Sequence, residues 1–228
     1  MRVSNSRWPI AALLAVVAGT ACGGAGTGAL ASTSPAGLST AQLEALYLAR
    51  TDSARMRFTE ADVRFMTGMI SHHAQALVMA GLAPTHSASQ SVGILTARTI
   101  NAQQDEIAAM QRWLRDRGQP APEVSADGAV STGGAEGERT VMPGMLTPQQ
   151  LRELDAAKGP DFDRLFLTFM IQHHGGAVTM VHDLFATDGA ALDEAVFKIA
   201  SDIQVDQTTE IARMERMLRE SPATGGRP

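Results

Sequence analysis

An internal repeat is the feature that most constrains what this chain can fold into. Residues 62–81 and 163–182 align without a gap and are identical at nine of twenty positions. The identical pairs are Asp62/Asp163, Phe65/Phe166, Thr67/Thr168, Met69/Met170, Ile70/Ile171, His72/His173, His73/His174, Ala76/Ala177 and Met79/Met180. The similarity continues downstream to Leu114/Leu218 and upstream to Leu38/Leu146, at different offsets. Because a duplicated sequence folds into the same unit twice, we expect two equivalent substructures whose connections differ in length.

Each repeat is predicted to be a helical hairpin that follows a short helix. Apolar residues recur at spacings of three and four positions in both long segments of each repeat, and no segment shows sustained β alternation. Thr59 with Asp62 has the pattern of a capping box, and Gly118 is suited to follow a helix end. The four long helices are predicted to begin near Thr59, Ser87, Asp161 and Asp188. Such hairpins bury their apolar faces by packing together, which predicts an all-α four-helix bundle with pseudo-twofold symmetry.

The expected organisation of the chain follows from the repeats and from the composition of the segments between them. It comprises a signal peptide (1–21), a flexible tether (22–37), the first repeat (38–118), a linker rich in Pro, Gly and Ser (119–145), the second repeat (146–220) and a tail (221–228).

The N-terminal segment is typical of a bacterial export signal. Arg2 and Arg7 precede the short apolar stretch 10–18, and small residues lead to Cys22, the only cysteine. This layout resembles a lipobox, in which the cysteine is lipidated, although Gly19 stands where Leu is usual. We therefore predict an exported protein of the cell envelope or periplasm, whose only contact with the membrane is a lipid anchor on Cys22. The alternative is an ordinary signal peptide, an incidental cysteine and a soluble secreted protein.

Composition excludes several classes of function. The formal net charge is -5, whereas a nucleic-acid-binding protein needs a basic face to neutralise phosphates. A single cysteine excludes a disulfide framework and any Cys-rich zinc or iron–sulfur site. The unusual counts are twelve Met and six His, which direct attention to where these residues lie.

The chemistry-bearing pattern is Met-x-x-His-His-x-x-Ala-x-x-Met, present once in each repeat. On a helix, with Met69 at the centre of a face, His73 lies about 40° to one side and His72 about 60° to the other. Imidazoles and thioethers therefore share the predicted apolar face. Met66 became Leu167 between the repeats, the exchange expected where only packing matters, whereas Met69 and Met79 kept their sulfur.

The second helix of each hairpin carries the pattern Gln-x-x-Glu-Ile-x-x-Met, and its polar residues and Met share one face. We interpret these faces as core packing or as support around a metal site, with direct ligation the less favoured role. The possible auxiliary or supporting residues are Met66, Gln103, Glu106, Met110, His182, Gln207, Glu210 and Met214.

Copper is the metal that suits this set of side chains. Thioether with imidazole suits Cu(I), and imidazole also suits Cu(II). Zinc would accept the His but gains little from Met, and a di-iron site needs a Glu-x-x-His motif that neither hairpin contains. Copper, with Cu(I) favoured, is therefore the predicted cofactor, and zinc or iron is less favoured.

These motifs resemble those of a bacterial family, domain-of-unknown-function family 305. The resemblance rests on Phe65-Met66-x-x-Met69-Ile70-x-His72-His73 and on Phe166-x-x-x-Met170-Ile171-x-His173-His174-x-Gly176-Ala177, and covers about residues 38–220. It implies an exported, ferritin-like four-helix bundle; some members, the CopM-like ones, bind copper or silver through His and Met and protect cells from copper. The metal ligands it implies are Met69, His72, His73, Met79, Met170, His173, His174 and Met180. Ser71 departs from the Pro that is frequent there, outside the ligand set.

The predicted function is copper buffering, storage or transfer in the cell envelope, with a metal ion and another envelope copper-handling protein as partners. No nucleophile–base pair or phosphate-binding loop is present in the sequence, so catalytic residues are not assigned. Two alternatives stay open at this point. One is a metal-dependent oxidoreductase with a redox centre inside the bundle, and the other is a structural or interaction module whose His and Met only pack.

Overall fold

The computed structural model describes residues 39–55, 57–126, 128–131 and 142–220. The predicted signal peptide, Cys22 and the tail lie outside the described residues. The chain divides into two compact units, Met1–Leu43 and Glu44–Pro228. The described part of the first is residues 39–43, where Ser39 and Gln42 form a reciprocal side-chain cap at the start of a helix.

The described residues form six helices and one small sheet. The helices are α1 (Thr40–Arg55), α2 (Glu60–Gly81), α3 (Gln90–Asp116), α4 (Pro148–Ala156), α5 (Gly159–Phe185) and α6 (Glu194–Glu220), with a single 3-10 turn at Ala83–Thr85. The strands β1 (Glu123–Val124) and β2 (Val130–Ser131) pair antiparallel within the linker, a ladder too short for the sequence pattern to indicate.

The long helices of the second unit form the expected four-helix bundle. Helices α2 and α3 pair as one hairpin, and α5 and α6 pair as the other. The hairpins meet through α2 against α5 and α3 against α6. Helices α2 and α5 run antiparallel, because Asp62 at the start of α2 accepts a hydrogen bond from Ala191 N beyond the end of α5, at 2.7 Å. The all-α bundle predicted from the repeat is therefore confirmed.

Helix starts follow the predicted caps in some places and differ in others. The capping box of Thr59 with Asp62 opens α2, and Thr147 with Gln150 opens α4 in the same way. Helix α3 is capped by Ser89 and not by Ser87. Helix α6 begins at Glu194, six residues later than the start predicted near Asp188.

The core consists of two apolar clusters, one toward each end of the α2–α5 interface. The first cluster includes Phe65, Met69, Met110 and Val181, and the second includes Phe162, Phe166, Met170 and Met214. Equivalent residues of the two repeats therefore lie at opposite ends, as a twofold axis across the antiparallel helices requires. Among the helices that the structure describes, none contains a stretch long and apolar enough to span a bilayer.

Candidate metal centre

Two rings meet at the middle of the α2–α5 interface, between the apolar clusters. The imidazoles of His72 and His173 have their centroids 3.9 Å apart with an interplanar angle of 38°. These residues are equivalent in the two repeats, so the pseudo-twofold axis passes between them. His73 and His174 flank the pair, and each of the four His exposes 1% or less of its surface. The ring pair that crosses the axis is thus His72 with His173, and not His73 with His174.

Backbone carbonyls orient the two central rings. The His72 Nε2 lies 3.0 Å from the Pro143 carbonyl oxygen, and the His173 Nε2 lies 3.0 Å from the His72 carbonyl oxygen. A carbonyl only accepts, so in each ring Nε2 carries the hydrogen and donates it. The neutral ring then has its lone pair on Nδ1.

Carboxylates orient the two outer rings. The His73 Nε2 lies 2.5 Å from Glu106 Oε2 on α3, and the His174 Nε2 lies 2.6 Å from Glu210 Oε2 on α6. The hydroxyl of Thr99 also donates to Glu210, at 3.4 Å. Glu106 and Glu210, placed on the supporting faces by sequence, are therefore the hydrogen-bond acceptors of the outer pair.

The Nδ1 atoms of all four His are buried and have no hydrogen-bond partner within the described residues. Buried polar atoms are almost always paired, so four unpaired nitrogens in one layer need an explanation. The usual arrangement at a metal-bound His is one ring nitrogen donating to a carboxylate or carbonyl while the other binds the ion. The residues present therefore fit a metal ion that takes imidazole nitrogen.

His, Cys, Asp and Glu side chains do not by themselves form a metal site among the described residues. Across the part of the chain that the structure describes, no three of those side chains lie close enough to hold one ion. Met69 and Met110 are fully buried in the first cluster, where Met66 also packs, and Met79, Met170 and Met214 are fully buried in the second. Met180 packs at the edge of the first cluster and is partly exposed.

The remaining residues singled out by sequence occupy different places. Gln103 and Gln207 are buried, and the Gln103 Oε1 has no partner among the described residues. His182 is exposed and its Nε2 accepts from the Gln204 amide at 3.0 Å, so it lies outside the His layer.

Burial keeps the central rings neutral. Loss of solvent, reinforced by the neighbouring His73, lowers the pKa of His72 from 6.5 to about 3. Burial and the adjacent His72 lower the pKa of His173 well below its ordinary value. Neutral imidazole is the form that binds a metal, so these two rings need to release no proton first.

Several carboxylates lie close together where α3 meets α6. Partial burial, followed by repulsion from Glu106, Asp202 and Glu210, raises the pKa of Asp206. The carboxylates that hold His73 and His174 therefore repel a further carboxylate nearby. A cation bound beside these rings would reduce that repulsion.

The turn that holds His72 was not recognised from sequence as part of the site. Residues 142–145 were expected to be linker and 146–147 to open the second repeat, but together they pack across both central helices. The Gln75 amide donates to the Leu146 carbonyl oxygen at 3.1 Å, and its Oε1 accepts from Leu146 N at 2.7 Å. Gly144 has a φ of +76°, and a Cβ on Gly176 would lie only 2.0 Å from the Pro143 carbonyl oxygen. The sequence signal was Met-Pro-Gly-Met itself, a turn pattern beside a helix that contains Gly-Gly.

Comparison with known families and structures gives one family match and three similar solved structures, and one comparison without a match. The sequence profile described as "Domain of unknown function (DUF305)" matches residues 62–218. None of the curated proteins compared with the chain matches it.

Three solved structures share the fold. A DUF305 fragment from Deinococcus radiodurans is 30% identical, with a TM-score of 0.58, covering 71% of this chain and 97% of that one. A DUF305 protein from Streptomyces coelicolor, described as secreted, is 24% identical, with a TM-score of 0.59, covering 74% and 96%. CopM in the Cu(I)-bound form is 26% identical, with a TM-score of 0.52, covering 69% and 95%.

Proposed function

We propose that this chain, which belongs to the Domain of unknown function (DUF305) family, is a copper-binding protein of the cell envelope that buffers, stores or hands over Cu(I). The observation that carries the proposal is the layer of four buried His, set between two clusters that contain buried Met. The Nδ1 atoms of these His have no hydrogen-bond partner among the described residues. The similarity to CopM in its Cu(I)-bound form supports copper as the ion.

The donor chemistry favours a soft ion. Thioether sulfur and imidazole nitrogen together suit Cu(I), while oxygen-preferring ions such as Mg²⁺ and Ca²⁺ gain nothing from Met. Met ligands also suit an oxidising compartment, since unlike Cys they form no disulfides. When bound, copper would supply a positive charge and a soft acceptor for these donors. The chain's own residues would orient the rings, exclude water and keep the imidazoles neutral.

The proposed ligands remain the eight residues of the two motifs. They are Met69, His72, His73, Met79, Met170, His173, His174 and Met180. Their distribution suggests two equivalent halves, because Met69 belongs to one apolar cluster and Met170 to the other. Met110 and Met214 lie in the same two clusters, and Glu106 and Glu210 would support the rings as hydrogen-bond acceptors.

The location in the cell envelope is part of the same proposal. It rests on the export pattern of the first 21 residues, and the lipid anchor rests on Cys22 after a run of small residues. Labelling with a radioactive fatty acid in the native bacterium, compared between the natural chain and Cys22→Ser, tests the anchor. Equal labelling of both would contradict it.

An anaerobic titration tests copper binding. The protein without residues 1–21, carrying Cys22→Ser to remove the only thiol, is titrated with Cu(I) against a chromophoric chelator. We expect competition at a whole-number stoichiometry, and its loss when His72, His73, His173 and His174 are all replaced by Asn. The matched control is His86→Asn, which removes another buried imidazole whose two nitrogens are already hydrogen-bonded. Equal copper affinity in the fourfold variant and the control would refute the proposal.

A further inference from the structure

Two Met side chains meet over a glycine at one edge of the bundle. The position that a Cβ on Gly68 would occupy lies 3.4 Å from Met142 Sδ and 3.5 Å from Met180 Cε. Both thioethers therefore sit against the same point of α2. Met142 and Met180 are partly exposed, unlike the fully buried Met69 and Met79.

The duplication is broken at this point. The counterpart of Gly68 in the second repeat is Phe169, which is 8% exposed and belongs to the second apolar cluster. The counterpart of Met180 is Met79, which is fully buried, and the counterpart of Met142 at the upstream offset is Ser34. At this position the second repeat thus has a nearly buried aromatic ring, whereas the first has a glycine beside two partly exposed Met side chains.

The backbone conformation at Gly68 does not require glycine. Gly68 lies in the interior of α2 and does not have a positive φ. Glycine within a helix costs about 1 kcal/mol relative to alanine, so its presence needs a packing or functional explanation. An alanine here would only touch the two thioethers, whereas a side chain as large as the Phe of the second repeat would take the space beside them.

We propose that Met142 and Met180 form a second, solvent-facing site, at which a soft monovalent cation, Cu(I) or Ag(I), docks before it reaches the buried His. This inference rests on the proposed copper binding and adds a place of entry to it. Thioether is a soft, polarisable donor that suits such ions and is not protonated at any physiological pH. The pair therefore binds without competition from protons.

The docking site is connected directly to the buried layer. Met142 begins the turn whose next residue, Pro143, accepts the hydrogen bond of His72. Met145 N donates to the Met142 carbonyl oxygen at 3.3 Å, which closes the turn. Met180 packs against the first apolar cluster, which contains Met69 and Met110. An ion bound by Met142 and Met180 would thus lie beside the turn that accepts the hydrogen bond of His72. It would also lie beside the first apolar cluster, which contains buried Met side chains.

Silver binding followed by NMR of ¹³C-methyl-labelled Met tests the site, since Ag(I) is redox-inert. The natural mature protein is compared with Met142→Leu, because Met180 also belongs to the ligand set proposed for the buried site. The matched control is Met217→Leu, a partly buried Met that packs on the second cluster and whose counterpart is Trp113. We expect the Met142 and Met180 methyl signals to shift in the natural protein, Met142→Leu to bind one fewer silver ion and to load more slowly, and the control to behave as the natural protein does.

A second variant closes the site without removing sulfur. Gly68→Phe places in the first repeat the residue that the second repeat already has, and Gly68→Ala is its control, because a Cβ there meets only ordinary contact distances. We expect slower silver loading in Gly68→Phe and natural loading in Gly68→Ala. Should Gly68→Phe fail to fold, the Met142→Leu variant decides alone.

The outcomes separate this inference from the copper proposal. Natural loading rate and stoichiometry in Met142→Leu, with binding still lost in the fourfold His variant, would overturn the docking site and leave copper binding intact. Absence of any binding by the natural protein would overturn both.

Discussion

Gly175 and Gly176 are neighbours on α5, yet their surroundings differ completely. A Cβ on Gly175 would meet nothing within 4 Å, whereas a Cβ on Gly176 would lie 2.0 Å from the Pro143 carbonyl oxygen and 2.6 Å from Gly144 Cα. Only Gly176 therefore allows the turn at residues 142–147 to approach α5 and hold His72. At this scale, single atoms decide whether the His layer has its observed geometry.

Alanine at these two positions should have opposite effects. Gly175→Ala should stabilise the protein by up to about 1 kcal/mol through helix propensity. Gly176→Ala should destabilise it by about 1–3 kcal/mol, because backbone must move to accept the methyl group. Chemical denaturation measures both, and the His72 ring signals in NMR should shift only in Gly176→Ala. Equal stability of the two variants would contradict the tight approach.

The carboxylates behind His73 and His174 allow a second prediction at the residue scale. Glu106→Gln with Glu210→Gln keeps the shape but removes the charge that polarises the rings, so copper affinity should fall about 10- to 100-fold. Competition with a Cu(I) chelator measures the change. The control is Glu153→Gln on α4, an exposed Glu that accepts a hydrogen bond from the neighbouring Gln149. If the control lost as much affinity as the double variant, the effect would be one of general charge.

At the scale of the element, the junction between α3 and α6 depends on Asp193. Its carboxylate accepts from Ala195 N and Val196 N at the start of α6, from Trp113 Nε1 at 3.1 Å, and from Arg117 Nη2 at 2.5 Å. Burial opposes its ionisation, but the hydrogen bonds from Arg117 and Trp113 prevail and lower its pKa. The cap at Asp193 also explains why α6 starts later than the apolar pattern indicated.

Asp193→Ala should therefore be strongly destabilising. It removes a helix cap and leaves the Arg117 guanidinium, whose side chain is 7% exposed, without its carboxylate. Breaking a buried ion pair from one side costs about 3–5 kcal/mol. Thermal and chemical unfolding measure the loss, with Glu194→Ala, one residue further on, as the control. A loss below 1 kcal/mol, the range of exposed ion pairs, would contradict this account.

At the scale of the whole molecule, the neutral His pair links stability to pH. In the folded protein the pKa of His72 is about 3, and in the unfolded chain it is the ordinary 6.5. Between these values the unfolded chain binds a proton that the folded protein does not, so stability rises with pH. The contribution of the neutral His pair to the free energy of unfolding of the metal-free protein should be fully present above pH 6.5. It should fall as the pH drops from 6.5 toward 3.

Unfolding by urea at a series of pH values measures this dependence. Between pH 6.5 and 4, the double variant His72→Asn/His173→Asn should lose less stability than the natural protein does. The contribution of Asp193, whose pKa is lowered from 3.8, is lost at lower pH and so can be told apart. Identical pH profiles of the natural protein and the double variant would show that the buried pair does not carry the effect.

The sequence by itself determined the helices and their duplication. Capping boxes at Thr59 and Thr147 and the spacing of apolar residues are local patterns, and each depends on residues a few positions apart. Equally local patterns identified the two His-His doublets and placed Glu106 and Glu210 on the helices that face them. Family membership and the four-helix bundle followed from those patterns.

Only the tertiary structure decided which His rings are in contact with each other. The contact of His72 with His173 depends on the antiparallel approach of α2 and α5, and the hydrogen bond to Pro143 depends on Gly176 more than thirty residues away in sequence. The late start of α6 likewise depends on Trp113 in α3 and on Arg117, which follows the end of α3. Local spacing determines the face of a helix on which a side chain lies, but its partner is set by close packing between distant segments, where one methyl group changes the outcome.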